Sequence, residues 1–138
     1  MKFHLEQASF GHIEAIKDFH ELLHKEIEEN NTISEDELRS YVFEPEAMVL
    51  VASTLEDVHI GFIIAQNNTD HTEIINLFVL EEHREKQVGK YLVEMIKRWA
   101  SAKGCKEIIV KHTHAKNFYL KQDFKDVDGT LIHSINNQ

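Results

Sequence analysis

The sequence predicts an α/β (α+β) domain, built on a single mixed central sheet of about six to seven strands with about four helices. Three observations carry that expectation. The stretch from Asn76 through Val79 is apolar, a polar turn follows, and apolar residues then recur at Val88, Leu92, Val93, Ile96, Trp99 and Ala100 on one helical face, which is strand, loop, helix. Gly104 closes that helix, and Glu107 to Val110 is a strand reached by a helical crossover and therefore parallel to the strand before it. Short strand pairs joined by turns lie on both sides, so the remaining neighbours are antiparallel. With 138 residues, 42% of them apolar and one proline, the chain has the size of one compact domain spanning residues 1–138 and can bury a proper core.

Taken in order, residues 2–8 alternate like a strand. Ser9 is placed to cap a helix whose apolar residues Ile13, Ile16, Phe19, Leu22, Leu23 and Ile27 recur at helical spacing, and Asn30-Asn31 ends it. Ser34-Glu-Asp-Glu37 is a capping box, which predicts a second short helix from residue 35 to 42, stopped before Pro45. Met48 to Ala52 and Ile60 to Ala65 are apolar strands joined through a turn at residues 55–57. Asn67-Asn-Thr-Asp70 makes the next turn, and the strand over residues 72–80 returns antiparallel. Beyond the crossover, Ala115 to Lys121 is a short helix. Phe124 to Val127 and Thr130 to Ile135 form a closing hairpin on the two-residue turn Asp128-Gly129.

Charge narrows the partners. A net charge of −9 argues against nucleic acid, whose phosphates are held by clustered Lys and Arg. Residues 21–46 hold nine acids against Lys25 and Arg39, whereas residues 83–90 hold Arg84, Lys86 and Lys90 against Glu85. An acidic lobe suits a cationic acceptor and a basic loop an anionic cofactor; the bland alternative is that the acids solvate helix faces. No apolar run has transmembrane length and the N-terminus lacks a signal-peptide core, so the chain is expected to be cytoplasmic with no membrane partner. The lone Cys105 excludes an internal disulfide and fits a reducing compartment. A sheet edge left by the short C-terminus is open to a second subunit, which would make a homodimer.

The turn between strand and helix carries the chemistry. A helix N-terminus presents unpaired N–H groups and the positive end of the macrodipole, and with Arg84, Lys86 and Gly89 in that turn it suits a phosphate or pyrophosphate. Arg84-x-x-Gln87-x-Gly89 after Leu77-x-Val79 resembles motif A of the GNAT acetyltransferases, Gln/Arg-x-x-Gly-x-Gly/Ala, whose loop holds the pyrophosphate of acetyl-coenzyme A. Downstream, Ala115-Lys-Asn-Phe118-Tyr119-Leu-Lys-Gln-Asp123-Phe124 is similar to the same family's Ala-x-x-Leu/Phe-Tyr-x-x-x-Gly-Phe segment, and the order of elements also matches along nearly the whole chain.

The resemblance implies a sheet whose parallel pair splays at the cofactor site, acetyl-coenzyme A as co-substrate, and a cofactor-binding set of Leu77, Phe78, Val79, Arg84, Lys86, Gln87, Val88, Gly89, Lys90, His112 and Phe118. Backbone N–H groups around Phe78 and Val79 would hold the thioester carbonyl and pantetheine arm if the strand bulges or splays. Glu73, six residues before Val79, stands where one branch of the family carries its general base, and the neighbouring Ile74 and Ile75 favour a neutral carboxyl there; the alternative is a strand-end glutamate facing water. Tyr119 aligns with the tyrosine that protonates the departing thiolate; otherwise it is a packed aromatic beside Phe118. His112 takes the place of an asparagine that bonds the cofactor arm. His112-Thr-His114 has no third ligand at zinc spacing, so no metal is expected.

Gln87 and Asp123 stand where the pattern has glycine, and with His112 they leave two functions open. One is an acetyl-coenzyme A-dependent N-acetyltransferase acting directly, in a ternary complex, on the primary amine of a small molecule or peptide. The other is a non-catalytic module that senses coenzyme A or binds a protein.

Overall fold

A computed structural model describes residues 3–19, 34–111, 113 and 115–135. Within them lie seven strands, β1 (Phe3–Gln7), β2 (Ala47–Thr54), β3 (His59–Asn68), β4 (His71–Val79), β5 (Glu107–Val110), β6 (Lys125–Val127) and β7 (Thr130–Ser134). Four α-helices accompany them: α1 over residues 13–19, α2 (Glu35–Phe43), α3 (Val88–Ala102) and α4 (Lys116–Lys121). The strands form one sheet in the order β1-β2-β3-β4-β5-β7-β6. All neighbours are antiparallel except β4 and β5, the pair joined through α3. This is the mixed sheet that the sequence predicts, and β6 is the edge expected near the C-terminus.

Two cores sandwich the sheet. On one face α3 buries Val88, Leu92, Val93, Ile96 and Ala100 against Ile60, Ile63, Ile74, Ile108 and Leu131. On the other, Ile13, Ile16 and Phe19 of α1 and Leu38 of α2 cover Val49, Val51, Phe62, Ile64 and Phe78. Each fully buried Val, Leu or Ile side chain contributes about 1.5–3 kcal/mol, so the four from α3 outweigh any propensity term in fixing that helix.

The helix ends follow local chemistry. Ser34 Oγ accepts from the Glu37 amide at 3.1 Å, as the capping box requires. α3 closes with Gly104 at φ 79°, its amide bonding the Ser101 carbonyl and that of Cys105 the Ala100 carbonyl, a Schellman turn. At α1 the outcome differs: residues Phe10–His12 form a 3₁₀ turn, and the Ser9 amide donates to His12 Nδ1 at 3.0 Å, so a histidine supplies the reciprocal cap. The expected continuation of α1 through Leu22, Leu23 and Ile27 lies outside the described residues. The turn foreseen at residues 67–70 is tighter, with strand on both sides up to Asn68 and from His71. Asp128 and Gly129, at φ 53° and 91°, make the closing hairpin turn.

Candidate active site

β4 is the strand on which the sheet changes character. Ile64 of β3 pairs with Asn76, yet the next residue, Ala65, pairs with Ile74, so β4 carries an extra residue at Ile75, a bulge. The insertion resets side-chain parity: Ile74, Leu77 and Val79 face the α3 core, whereas Ile75 and Phe78 face α1 and α2. On the opposite side, β4 pairs with β5 from His71↔Glu107 only to Ile74↔Val110, although β4 runs on to Val79. The Leu80 amide bonds the Ile60 carbonyl at 2.8 Å, so by the alternation of an antiparallel ladder the Phe78 amide also faces β3. Those of Leu77 and Val79 face the side that β5 has left.

Past Val79 the chain turns directly into α3. The residues expected as an open basic loop form a 3₁₀ helix, Glu81–Lys86. Arg84 Nε donates to the Val79 carbonyl at 2.8 Å, and its guanidinium lies 5.5 Å from the centre of the Phe78 ring, so Arg84 ties the turn to the end of β4. Gln87, at φ 65° and ψ 15°, precedes α3, and among the described residues no side chain caps that terminus. The first-turn amides of Val88, Gly89 and Lys90 are therefore presented to an anion, with the exposed Lys90 beside them. The Lys86 side chain and all of His112 lie outside the described residues.

Three positions of the family pattern's glycines differ in what they require. A Cβ on Gly89 would stand 3.2 Å from Phe118 Cζ, so this glycine admits the Phe118 ring against the start of α3 rather than relieving a strained backbone. Conversely, Gln87 and Asp123, at the positions where the pattern has glycine, both hold left-handed φ values of 65° and 70°. The backbone that a glycine would adopt is retained without it. Gln87→Gly is accordingly expected to hold or raise the melting temperature. Removing the Cβ penalty of αL relieves about 1–2 kcal/mol and glycine's unfolded-state freedom costs about 0.5–1 kcal/mol, a net gain of roughly 0–1.5 kcal/mol. A clear loss of stability would show that the Gln87 side chain makes contacts of its own.

Tyr119 and Glu73 lie on opposite faces of the sheet. Tyr119 is 2% exposed in the α3 core, edge-on to Phe118 and Phe124 at ring distances of 5.1 and 5.3 Å. Its hydroxyl meets no hydrogen-bond partner among the described residues, and burial pushes the phenol well above its ordinary range, so it stays protonated. Glu73 sits between Thr72, whose hydroxyl donates to Cys105 Sγ, and Ile74 of the α3 core, so it faces the α2 side. It is not sealed in apolar surroundings: its side chain is 23% exposed and Lys111 Nζ lies 3.7 Å away.

Sequence reasoning missed Lys111 and Tyr41. The Tyr41 phenol is raised by burial first and then by the negative charges of Glu37 and Glu73, which places all three side chains on the same side. The only earlier signal was the four-residue spacing of Glu37 and Tyr41 on α2. Cys105 donates to Asn67 Oδ1 at 2.8 Å and neighbours Thr72, at the end of β4 away from Val79. Among the described residues no group of His, Cys, Asp and Glu is arranged to hold a metal.

β4 thus carries a bulge, loses β5 after Ile74 and leads into a helix N-terminus that no described side chain caps, with Glu73 on one face of the sheet and Tyr119 on the other. The profile of the Acetyltransferase (GNAT) family matches residues 14–124, and the chain belongs to that family. No curated protein sequence matches it. Among solved structures, a GNAT-family acetyltransferase from Staphylococcus aureus Mu50 superimposes with a TM-score of 0.88 at 11% identity, over 98% of this chain and 100% of that one. The PaiA N-acetyltransferase from Thermoplasma acidophilum, in complex with coenzyme A, gives 0.74 at 19% identity over 98% and 100%. N-acetylglutamate synthase from Neisseria gonorrhoeae, complexed with coenzyme A and N-acetyl-glutamate, gives 0.85 at 15% identity over 99% of this chain but 36% of that one. At such identities the likeness establishes the fold.

Proposed function

We propose that this protein transfers the acetyl group of acetyl-coenzyme A to a primary amine by direct attack in a ternary complex. The observation that carries the reading is the bulge at Ile75, beyond which β4 loses β5 and leads into an uncapped helix N-terminus. In this reading the pyrophosphate rests on the amides of Val88, Gly89 and Lys90, with Arg84, Lys86 and Gln87 around it. The pantetheine arm enters between β4 and β5, where the Leu77 and Val79 amides face the gap. Phe118 walls the cofactor against α3, and Phe78 backs the strand from the other face. His112 is assigned to the same arm by its place in the pattern.

The acceptor approaches from the α2 side, where Glu73 takes a proton from the ammonium through a water. The freed amine attacks the acetyl carbon, the C–S bond breaks, the departing sulfur takes the Tyr119 hydroxyl proton, and the second proton shed by the acylated nitrogen restores the Tyr119 phenol. Gln87 and Asp123 hold left-handed backbone without glycine, which supports cofactor binding, a property that the transferase and the sensor alternative share.

Thiol release from acetyl-coenzyme A with a panel of polyamines, aminoglycosides, lysine peptides and neutral amines tests the activity. The acidic residues of the α1–α2 region favour cationic acceptors, with a preference that weakens as salt is raised; faster turnover of neutral or acidic amines overturns that assignment. No thiol release with any amine, alongside coenzyme A binding, restores the sensor alternative.

Arg84→Ala is expected to weaken coenzyme A binding by roughly tenfold to a hundredfold, from the loss of a charge-assisted contact worth about 1.5–3 kcal/mol. Calorimetry checks it. Because Arg84 also holds the Val79 carbonyl, Arg84→Lys separates charge from anchoring: it keeps the charge and loses the planar Nε donor. Unchanged affinity in Arg84→Ala removes Arg84 from the cofactor site.

A further inference from the structure

The exit of α4 is held by two side chains that the reaction scheme does not use. Lys97 of α3 is 16% exposed and directs its ammonium to the Gln122 carbonyl at 2.6 Å, with Glu94 at 3.4 Å and the Phe124 ring centre at 5.8 Å. His133 of β7, 15% exposed, lies with Nδ1 2.9 Å from the next carbonyl, that of Asp123. A carbonyl only accepts, so His133 Nδ1 carries the hydrogen. Asp123 is the residue at φ 70°, a conformation a non-glycine residue keeps only when its surroundings hold it there.

The turn so fastened ends on Tyr119. The amides of Gln122 and Phe124 both donate to the Tyr119 carbonyl, at 2.9 and 3.2 Å. The Phe124 ring lies between the rings of Tyr119 and His133, at 5.3 and 5.4 Å. The Lys97 ammonium, the His133 imidazole and the left-handed Asp123 thus act on the same turn, which fixes the Tyr119 backbone through two hydrogen bonds and its ring through one edge contact.

We propose that Lys97 and His133 are positioning residues for Tyr119, holding the phenol at its place through the turn Gln122-Asp123-Phe124. The inference rests on the proposed role of Tyr119 as proton donor. It also explains how the chain keeps an aspartate where glycine is usual: two carbonyl bonds supply the constraint that the intrinsic preference of the residue does not.

The test is a double-mutant cycle in thiol release from acetyl-coenzyme A, with the panel amine that turns over fastest. Lys97→Met keeps the aliphatic stem and removes the ammonium. It is expected to fold, to bind acetyl-coenzyme A with unchanged Kd, and to lower kcat roughly tenfold to a hundredfold, the cost of misplacing a reacting group by about an ångström. Lys97→Arg, which retains a charged donor, restores kcat. In the Tyr119→Phe background Lys97→Met costs nothing further, because no phenol remains to be placed; a generally structural lysine would cost the same in both backgrounds. Should Lys97→Met not fold, His133→Leu removes the second fastening and carries the same cycle. A normal kcat for folded Lys97→Met beside an impaired Tyr119→Phe overturns the inference alone. A normal kcat for Tyr119→Phe overturns the proton-donor reading and this inference with it.

Discussion

Tyr119→Phe is expected to lower kcat by about 10²-fold or more while leaving the Kd of acetyl-coenzyme A unchanged, since a positioned acid contributes ~10²–10⁴ in the transition state alone. The change removes one oxygen and keeps the ring that packs on Phe118 and Phe124, so the core around it persists. The buried hydroxyl lacks a protein partner among the described residues, so its removal strands no donor or acceptor and should not destabilise the fold. Burial raises the phenol, so it remains a donor across neutral and mildly alkaline pH and no alkaline limb of the rate profile below its ordinary value of 10.0 belongs to it. Linkage runs in the same direction. Above that value the unfolded tyrosine loses its proton and the buried one keeps it, so native stability falls as pH rises, and Tyr119→Phe should flatten that alkaline decline. Thiol-release kinetics, binding calorimetry and alkaline melting together check the prediction; a variant with ordinary kcat assigns the hydroxyl no part in the transfer.

What the sequence disclosed and what it hid have different physical origins. Apolar periodicity exposed α3 and the strands, because burial of residues such as Leu92, Ile96 and Ile63 is a requirement that composition must meet position by position. The parallel pairing of β4 with β5 followed from the crossover through α3, since a helix of that length returns the chain in the same direction. The bulge at Ile75 gave no signal: its cause is the ladder with β3, and no glycine or proline marks it. Left-handed backbone at Gln87 and Asp123 was hidden for a related reason, as neither position carries the glycine by which such turns are usually recognised.

At the site, the chain order of Arg84, Gly89, Phe118 and Tyr119 was legible through the motifs, but their partners were not. Phe118 packs on Gly89 from across the fold and Lys97 reaches Gln122, both contacts between elements distant in sequence, while Arg84 reaches five residues back to the Val79 carbonyl through a turn that no motif specifies. The position of Glu73 was also visible, whereas Lys111 became its neighbour only once β5 lay beside β4.

That ion pair shapes the second large expected effect, in Glu73→Gln. The substitution keeps the size and hydrogen-bonding reach of the side chain and removes its capacity to accept a proton at neutral pH. If Glu73 deprotonates the acceptor through a water, kcat at neutral pH should fall about 10²-fold or more. Acetyl-coenzyme A should still bind normally, because Glu73 faces α2 and the cofactor loop lies past the far end of β4. Solution chemistry can replace the missing base: the rate of the variant should climb with pH as more of the amine arrives neutral, towards the ordinary ammonium value of about 10.4. The intact protein should level off earlier. Glu73→Gln also breaks the 3.7 Å contact with Lys111, so Lys111→Met is the necessary companion, removing the ion pair while sparing the carboxylate. At 23% exposure of the glutamate and 50% of the lysine, that pair adds about 0–1 kcal/mol to stability, and Lys111→Met should melt near the parent temperature. Turnover retained in Lys111→Met and lost in Glu73→Gln assigns the base. If Glu73→Gln instead keeps ordinary turnover at neutral pH, the amine enters the site already neutral, and holding it against the thioester is the whole of what the α2 face contributes.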